Sequence, residues 1–503
     1  MIQIENKRVF LMTRQEYLKE IEKVNEAGTY KEDWGSLSEH ETPKWFRDAK
    51  FGIFIHYGVY SVPAYGNEWY SRNMYNKNNR EYKHHIETYG PQSEFGYKDF
   101  IPMFKAENFD AHRWIETFKK AGARYVVPVM EHHDGFAMYD TEFNKWNAAN
   151  MGPHKNIVGL LKEECDKQGL TFCGSSHRAE HYFFMNLGRE FDSDVNDDNY
   201  RDFYGPAVLC PEWQDEQFTN STENPDSKGP DQDWLEDWTV RTAEIIDRYM
   251  PAMLYFDWWI QNKAFKPYLK KICAYYYNRA KEWGREVTIC YKHHAFPPDV
   301  ATFDVERGAL SEISPRYWQT DTAIGNRSWC YIQDNEYKSG YKLVCDLIDA
   351  VSKNGNFLLN LGPKPDGTFT AEDEKALSDM GSWLSVNGEG IYGSHYWSQY
   401  KEGDTVIASG SFNDGGEVDY TPSDFRFTYK AGYVYAYWMR PAVQDVKIKA
   451  FRTEPIREML IDKVSLLSTG EELSFERNEE GMIIKASDSF KSDMPLCFKV
   501  KLL

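Results

Sequence analysis

The sequence predicts a (β/α)8-like barrel of the TIM type followed by a C-terminal antiparallel β-sandwich, an α/β architecture overall. Three observations carry this expectation. Short, nearly continuous apolar runs alternate with amphipathic helical stretches from residue 44 to about residue 396, the pattern of parallel strands buried on both faces. No Gly-x-Gly-x-x-Gly turn follows any of those runs, which weighs against an open dinucleotide-binding sheet. After that point the runs alternate apolar and polar and are separated by Gly, Asn, Asp and Ser, as in an antiparallel sheet with one wet face.

Residues 1–43 read as a polar N-terminal extension, with one helix expected in "TRQEYLKEIEKVNEAG". The barrel region, 44–396, draws strands from "FGIFIHYG" (51–58), "YVVPVMEHHDGF" (125–136), "LTFCGSSH" (170–177), "MLYFDWW" (253–259), "VTICYKH" (287–293) and "NFLLNLGP" (356–363). A closed barrel of this type needs about eight, and the stretch 260–350 does not yield the rest cleanly. Three helices have readable ends. "FDAHRWIETFKKAG" places Asp110 as N-cap, Trp114, Ile115 and Phe118 on one face, and Gly122 as the stop. "DWLEDWTVRTAEIIDRYMP" offers Asp233 as cap with Glu236 completing a capping box, and Pro251 as the breaker. "YKLVCDLIDAVSKNG" closes on Gly355. The sandwich, 397–503, draws strands from "DTVIASGS", "FRFTYKAGYVYAYWM", "DVKIKAF", "GMIIKAS" and "PLCFKVKLL". A module packed against the barrel is the plainer expectation for it than a glycan-binding one.

The totals narrow the partners. A formal charge of -19 argues against nucleic acid and anionic membrane, since both reward Lys and Arg. Aromatics reach 16%, an excess that suits either core filling or sugar binding. The eight cysteines are scattered without a C-x-x-C pair, so reduced, buried thiols are expected. The N-terminus lacks a basic segment followed by an apolar one, and no run of 18 apolar residues occurs. The chain as given therefore reads as cytoplasmic, and a homo-oligomer is compatible with it.

Chemistry in such a barrel sits at the C-terminal ends of the strands. The expected exits carry His56, His132, His133, Asp134, His177, Asp257, His293, His294 and Glu306. "NEWY" after the first strand pairs Glu68 with Trp69, an acceptor beside a flat ring. Metal ligation is the rival reading of "EHHDGF", because His and Asp are common ligands. Neighbours on a strand point to opposite faces, and no H-x-H or H-x-x-x-H spacing involves His132 or His133, so a metal is not expected. Asp257 ends an apolar run between Phe256 and two tryptophans. As a catalytic carboxylate it needs a partner, about 5–5.5 Å away for retaining and roughly 6.5–9.5 Å for inverting glycoside hydrolysis. Asp304, Glu306 and Glu312 in "FDVERGALSEI" are the candidates.

Taken in order, "AKFGIFIHYGVYSVPAYGNEWY", "FDAHRWIETFKKAGARYVVPVMEHHDGF", "YMPAMLYFDWW", "WQTDTAIGNRSWCY" and "LIDAVSKNGNFLLNLGPKPDG…NGEGIYG" resemble the α-L-fucosidases of glycoside hydrolase family 29. The resemblance implies a retaining exo-glycosidase acting on a fucosylated oligosaccharide or glycoconjugate, with no metal or organic cofactor. It implies Asp257 as nucleophile and Glu306, by its register before Trp318, as acid/base. His56, Glu68, Trp69, His132 and His133 match residues that grip the sugar. Two positions depart from the family pattern: Tyr255 stands where a Trp is usual, and "GSSHRAEH" replaces paired tyrosines, with His177 as a substitute contact. Both fall at the sugar pocket. An α-L-galactosidase-type activity, a non-catalytic carbohydrate-binding barrel and a metal-dependent hydrolase are the rival expectations.

Overall fold

The computed structural model describes residues 12–209, 229–454 and 459–503. Nine strand segments form one parallel sheet: β1 Phe51–Ile55, β2 Tyr125–Glu131, β3 Thr171–Phe172, β4 Gly174–Ser176, β5 Met253–Phe256, β6 Thr288–Tyr291, β7 Thr302–Glu306, β8 Trp318–Ala323 and β9 Gly355–Leu361. β3 and β4 are two pieces of one strand interrupted at Cys173, which makes eight staves. β1 pairs with both β9 and β2, so the sheet closes. The interior is filled. Gly52 sits opposite Tyr125 in register, and a β-carbon there would lie 2.3 Å from the Tyr125 ring, so the absent side chain is what lets that ring into the barrel.

β7 and β8 were not among the expected strands. Their sequences, TFDVE and WQTDTA, are polar, yet nearly every residue is buried. The reason is that their inward side chains satisfy one another. Gln319 Nε2 donates to Asp304 at 2.7 Å, and Tyr125 donates to Gln319 at 2.8 Å. A buried strand whose polar groups are mutually hydrogen-bonded carries no apolar signature.

The N-terminal helix runs Arg14–Ala27, with a capping box between Thr13 and Glu16. It packs Tyr17 and Ile21 into the barrel's outer layer, where the Tyr17 hydroxyl donates to Asp247 at 2.7 Å. The helix Ala111–Lys120 has the expected Asp110 cap. The helix Gln232–Tyr249 starts earlier than expected: Asp231, not Asp233, accepts from Trp234 as its cap. The helix Gly340–Ser352 ends at Lys353, and Gly355 begins β9 instead of stopping the helix. No helix among the described residues is long and apolar enough to cross a membrane.

The C-terminal region is a two-layer antiparallel sandwich. One sheet has the order β10-β11-β12-β18-β14-β15 and the other β13-β17-β16, where β10 is His395–Glu402, β11 Phe425–Lys430, β12 Tyr433–Trp438 and β13 Val446–Ile448. The remainder are β14 Ile461–Leu466, β15 Glu472–Leu473, β16 Phe475–Asn478, β17 Gly481–Ile484 and β18 Leu496–Leu502. Phe425, Phe427, Trp438, Ile448, Ile484 and Phe498 share the core between the layers. The strand expected in "DTVIASGS" is absent; residues 404–409 cross irregularly toward the barrel. The sandwich is fastened to the barrel by buried polar contacts, including Arg426 on Asp349 at 2.7 Å and Trp383 on the Pro495 carbonyl at 2.7 Å. All described cysteines are free and buried, as expected, and Cys210 lies outside the described residues.

Candidate active site

Four strands end one residue short of a titratable side chain: β1 before His56, β2 before His132, β4 before His177 and β5 before Asp257. These exits share the C-terminal mouth of the barrel. A cavity there, about 290 Å3 including its open entrance, is lined by His56, Glu68, Trp69, His132, His133, His177 and Asp257. Phe54, Asp321 and Trp329 complete its wall. The loop after His133 is tight: Gly135 has a φ of 79°, and a β-carbon there would meet the His181 ring at 2.5 Å. His181 in turn bonds the His133 carbonyl at 2.8 Å, which fixes the turn.

Asp257 is the charge at the centre. Its Oδ2 lies 3.1 Å from His177 Nδ1 and 3.5 Å from His133 Nε2. Burial opposes its ionisation, but the two imidazoles outweigh burial and hold the carboxyl well below the usual range. His133 is the cation of the pair. Burial disfavours its charge, yet Glu180, 3.5 Å from Nδ1, and Asp257 raise its pKa to about 9. Its Nδ1 also bonds the His177 carbonyl at 2.7 Å, so that nitrogen carries a proton and Nε2 faces Asp257. Burial lifts Glu180 itself to about 7.

The other imidazoles are neutral. Burial, followed by the neighbouring His177, pushes His56 well below its ordinary value, and burial with His133 does the same to His132. His56 Nδ1 is 2.7 Å from the Asn360 side-chain oxygen, which fixes the proton there and leaves Nε2 as an acceptor. His177 Nε2 is 2.9 Å from the Ser175 hydroxyl. Glu68 accepts from the Trp329 backbone at 3.0 Å and from Ser328 at 3.2 Å, with burial raising its proton affinity. The mouth therefore offers an ionised carboxylate, an imidazolium, several further donors and acceptors, and flat rings. That mixture fits a neutral polyhydroxylated ring better than a charged ligand.

Glu306 ends β7. Its Oε2 is 3.0 Å from Lys292 Nζ and accepts the indole N–H of Trp258, the residue next to Asp257. Burial raises its proton affinity; Lys292 pulls it down, and the charges of Asp321 and Asp257 push it up again. Lys292 also lies 3.0 Å from Asp321 and 3.2 Å from Asp304, a single buried cation among three carboxylates. Burial, then the Asp304 charge, lifts Asp321 to about 8. Of the three candidate partners for Asp257, Asp304 is locked in this interior network and Glu312 is exposed, 3.5 Å from the Tyr400 hydroxyl. Of the three, Glu306 is the one bonded to the Asp257–Trp258 segment, through the Trp258 indole.

Tyr255 lies one layer below the cavity. Its hydroxyl donates to Asp321 at 2.8 Å, so it supports the carboxylate network and, contrary to expectation, does not line the cavity. Asp134 turns away from the cavity, accepting from Tyr97 at 2.7 Å, and His294 is exposed. The alternation argument for His132 and His133 does not apply, because β2 ends at Glu131 and their rings come within 4.3 Å. Nitrogen atoms of His56, His132 and His177 converge within 4.8 Å from three strands. Lys292, Glu180, Asp321 and Trp329 were not singled out from sequence. A lysine in "VTICYKH" between a strand and two histidines was the available signal.

The pattern described as Alpha-L-fucosidase matches residues 17–389. Human tissue alpha-L-fucosidase is 30% identical over 382 residues, covering 75% of each chain. Human plasma alpha-L-fucosidase is 31% identical over 388 residues, 74% of this chain and 73% of its own. Among solved structures, the Thermotoga maritima alpha-fucosidase superposes with a TM-score of 0.72 at 27% identity, covering 94% of this chain and all of the other. A complex of that protein with fucose gives the same TM-score at 28% identity over 93% of this chain and 99% of its own. With a matched region spanning the barrel and its mouth, the chain belongs to the alpha-L-fucosidase family of glycoside hydrolases.

Proposed function

We propose that this protein is a retaining exo-α-L-fucosidase that releases terminal fucosyl residues from glycans or glycosides by double displacement, with Asp257 as nucleophile and Glu306 as acid/base. One observation carries the reading: two carboxylates linked through Trp258 have opposite proton affinities. Asp257 is held ionised by His133 and His177, and Glu306 is held toward its protonated form.

In the first step an oxygen of Asp257 forms a bond to the anomeric carbon as the bond to the leaving oxygen breaks. Glu306 gives its proton to that oxygen, so the aglycone departs as an alcohol. Covalent capture removes the negative charge of Asp257, one of the influences that raise Glu306. Glu306, now a carboxylate, takes a proton from water as its oxygen attacks the anomeric carbon and Asp257 leaves. His133, charged in the free enzyme, stabilises Asp257 before attack and again as its charge returns on departure. His56 Nε2, His132, Glu68 and the ring of Trp69 face the space where the sugar hydroxyls and its apolar side would lie.

The experiment is hydrolysis of 4-nitrophenyl α-L-fucopyranoside by the wild type and Asp257→Ala, alongside the α-L-galactoside. Release from the fucoside by the wild type, loss in the variant and a slower galactoside are expected. Wild-type turnover that survives in Asp257→Ala refutes the assignment.

A further inference from the structure

The irregular segment 403–424 joins β10 to β11 and leaves the sandwich to lie on the barrel beside Glu306. Its backbone is stitched to the chain just after the acid/base candidate. Phe412 N donates to the Glu306 carbonyl at 2.9 Å, Asn413 N to Arg307 at 2.7 Å, and Gly410 N to Ala309 at 2.8 Å. The Asp414 carboxylate adds Lys338 at 3.0 Å and Arg307 at 3.5 Å.

At the point of closest approach stands a side chain that folding alone does not explain. Phe412 is 62% exposed, and its φ of 61° lies in the left-handed region that a bulky residue avoids. Its ring lies near-parallel to that of Trp258, 17° between planes and 6.3 Å between centres. Trp258 is the residue that donates to Glu306, and the His293 ring meets it edge-on at 5.6 Å. A strained backbone therefore holds an apolar ring in solvent, next to the group that would protonate the leaving oxygen. The sugar cavity itself lies on the Asp257 side and does not include Phe412.

We propose that Phe412 and Trp258 form a leaving-group platform, the C-terminal segment supplying half of it. Its ligand is the flat, apolar face of a pyranose or aryl aglycone attached to the scissile oxygen. Stacking there holds the leaving oxygen within reach of Glu306. This inference rests on the retaining-fucosidase reading, because that reading puts Glu306 at the scissile oxygen.

The test compares 4-nitrophenyl α-L-fucopyranoside with α-L-fucosyl fluoride, whose leaving group has no ring and needs no protonation. In Phe412→Ala, kcat/KM on the aryl fucoside is expected to fall about tenfold, and on the fluoride by less than about twofold. Phe412→Trp is expected to restore the aryl rate. Val406→Ala, exposed on the same segment, reports any general effect of altering it. An equal fall on both substrates, or no fall on either, overturns the platform. Absence of turnover of both substrates by the wild type overturns the underlying reading instead.

Discussion

Replacing His133 with Gln tests whether a buried imidazolium holds Asp257 ionised. In the wild type the imidazole rises from 6.5 in the unfolded chain to about 9 in the folded one, because Glu180 and Asp257 outweigh burial. At about 1.4 kcal/mol per tenfold change in proton affinity, that difference corresponds to roughly 3 kcal/mol of folding stability. A raised folded-state pKa fixes the sign. The contribution is fully present below pH 6.5 and is lost as pH rises through about 9. His133→Gln should therefore be destabilised relative to the wild type at pH 6, and the gap should close by pH 10. The gap, rather than either curve, reports His133 together with its partner Glu180, which titrates near 7, because Asp321, Lys266 and Lys338 titrate near 8 in both proteins. For domains of 150–250 residues about 2–4 °C accompanies each kcal/mol, and less for a chain of 503, so thermal midpoints should differ by a few degrees at pH 6. A gap equally wide at both pH values would refute the electrostatic argument. So would no gap at either.

Other outcomes follow from the same geometry. Lys292→Met leaves Asp304, Asp321 and Glu306 without their cation; breaking a buried pair costs about 3–5 kcal/mol, measurable as a lowered thermal midpoint. Because Lys292 pulls the Glu306 pKa down, the alkaline limb of kcat/KM in any folded variant should move up by about one to three pH units. Glu306→Gln should lose most turnover of glycosides whose leaving group needs a proton, keep far more on α-L-fucosyl fluoride, and lose the alkaline limb. Tyr255→Phe should cost about 1–3 kcal/mol in thermal unfolding, since Asp321 loses a donor. It should leave KM for the aryl fucoside within about twofold, because its hydroxyl lies below the cavity.

Much of this site was legible because its residues sit where apolar strand runs stop. His56, His132, His177 and Asp257 each follow a strand that is buried along its length, so the change of chemistry marks the exit. β7 and β8 were not legible, since Asp304 and Asp321 are buried against Lys292 and Tyr255, and Gln319 against Asp304 and Tyr125, partners on other strands. The same distance hid Lys292 and Glu180. Pairing across staves is set by barrel register, which no local spacing encodes. Asp233 resembles a helix cap because Glu236 lies three residues on; Asp231, which accepts from the Trp234 backbone, starts the helix two residues earlier. The segment 404–411 alternates like a strand, but Gly410 and its neighbours pair instead with the chain after Glu306. Phe412 was unreadable for the same reason.

The central claim is that Asp257 attacks the sugar. It is tested most directly by treating the protein with 2-deoxy-2-fluoro-α-L-fucosyl fluoride, which lets the first displacement run and slows the second. After proteolysis the peptides are analysed by mass spectrometry. The account predicts a 2-fluorofucosyl adduct on the peptide containing Asp257, and none on the corresponding peptide of Asp257→Ala. An adduct on a different carboxylate, or turnover that first yields the anomer of inverted configuration with no adduct, would contradict it.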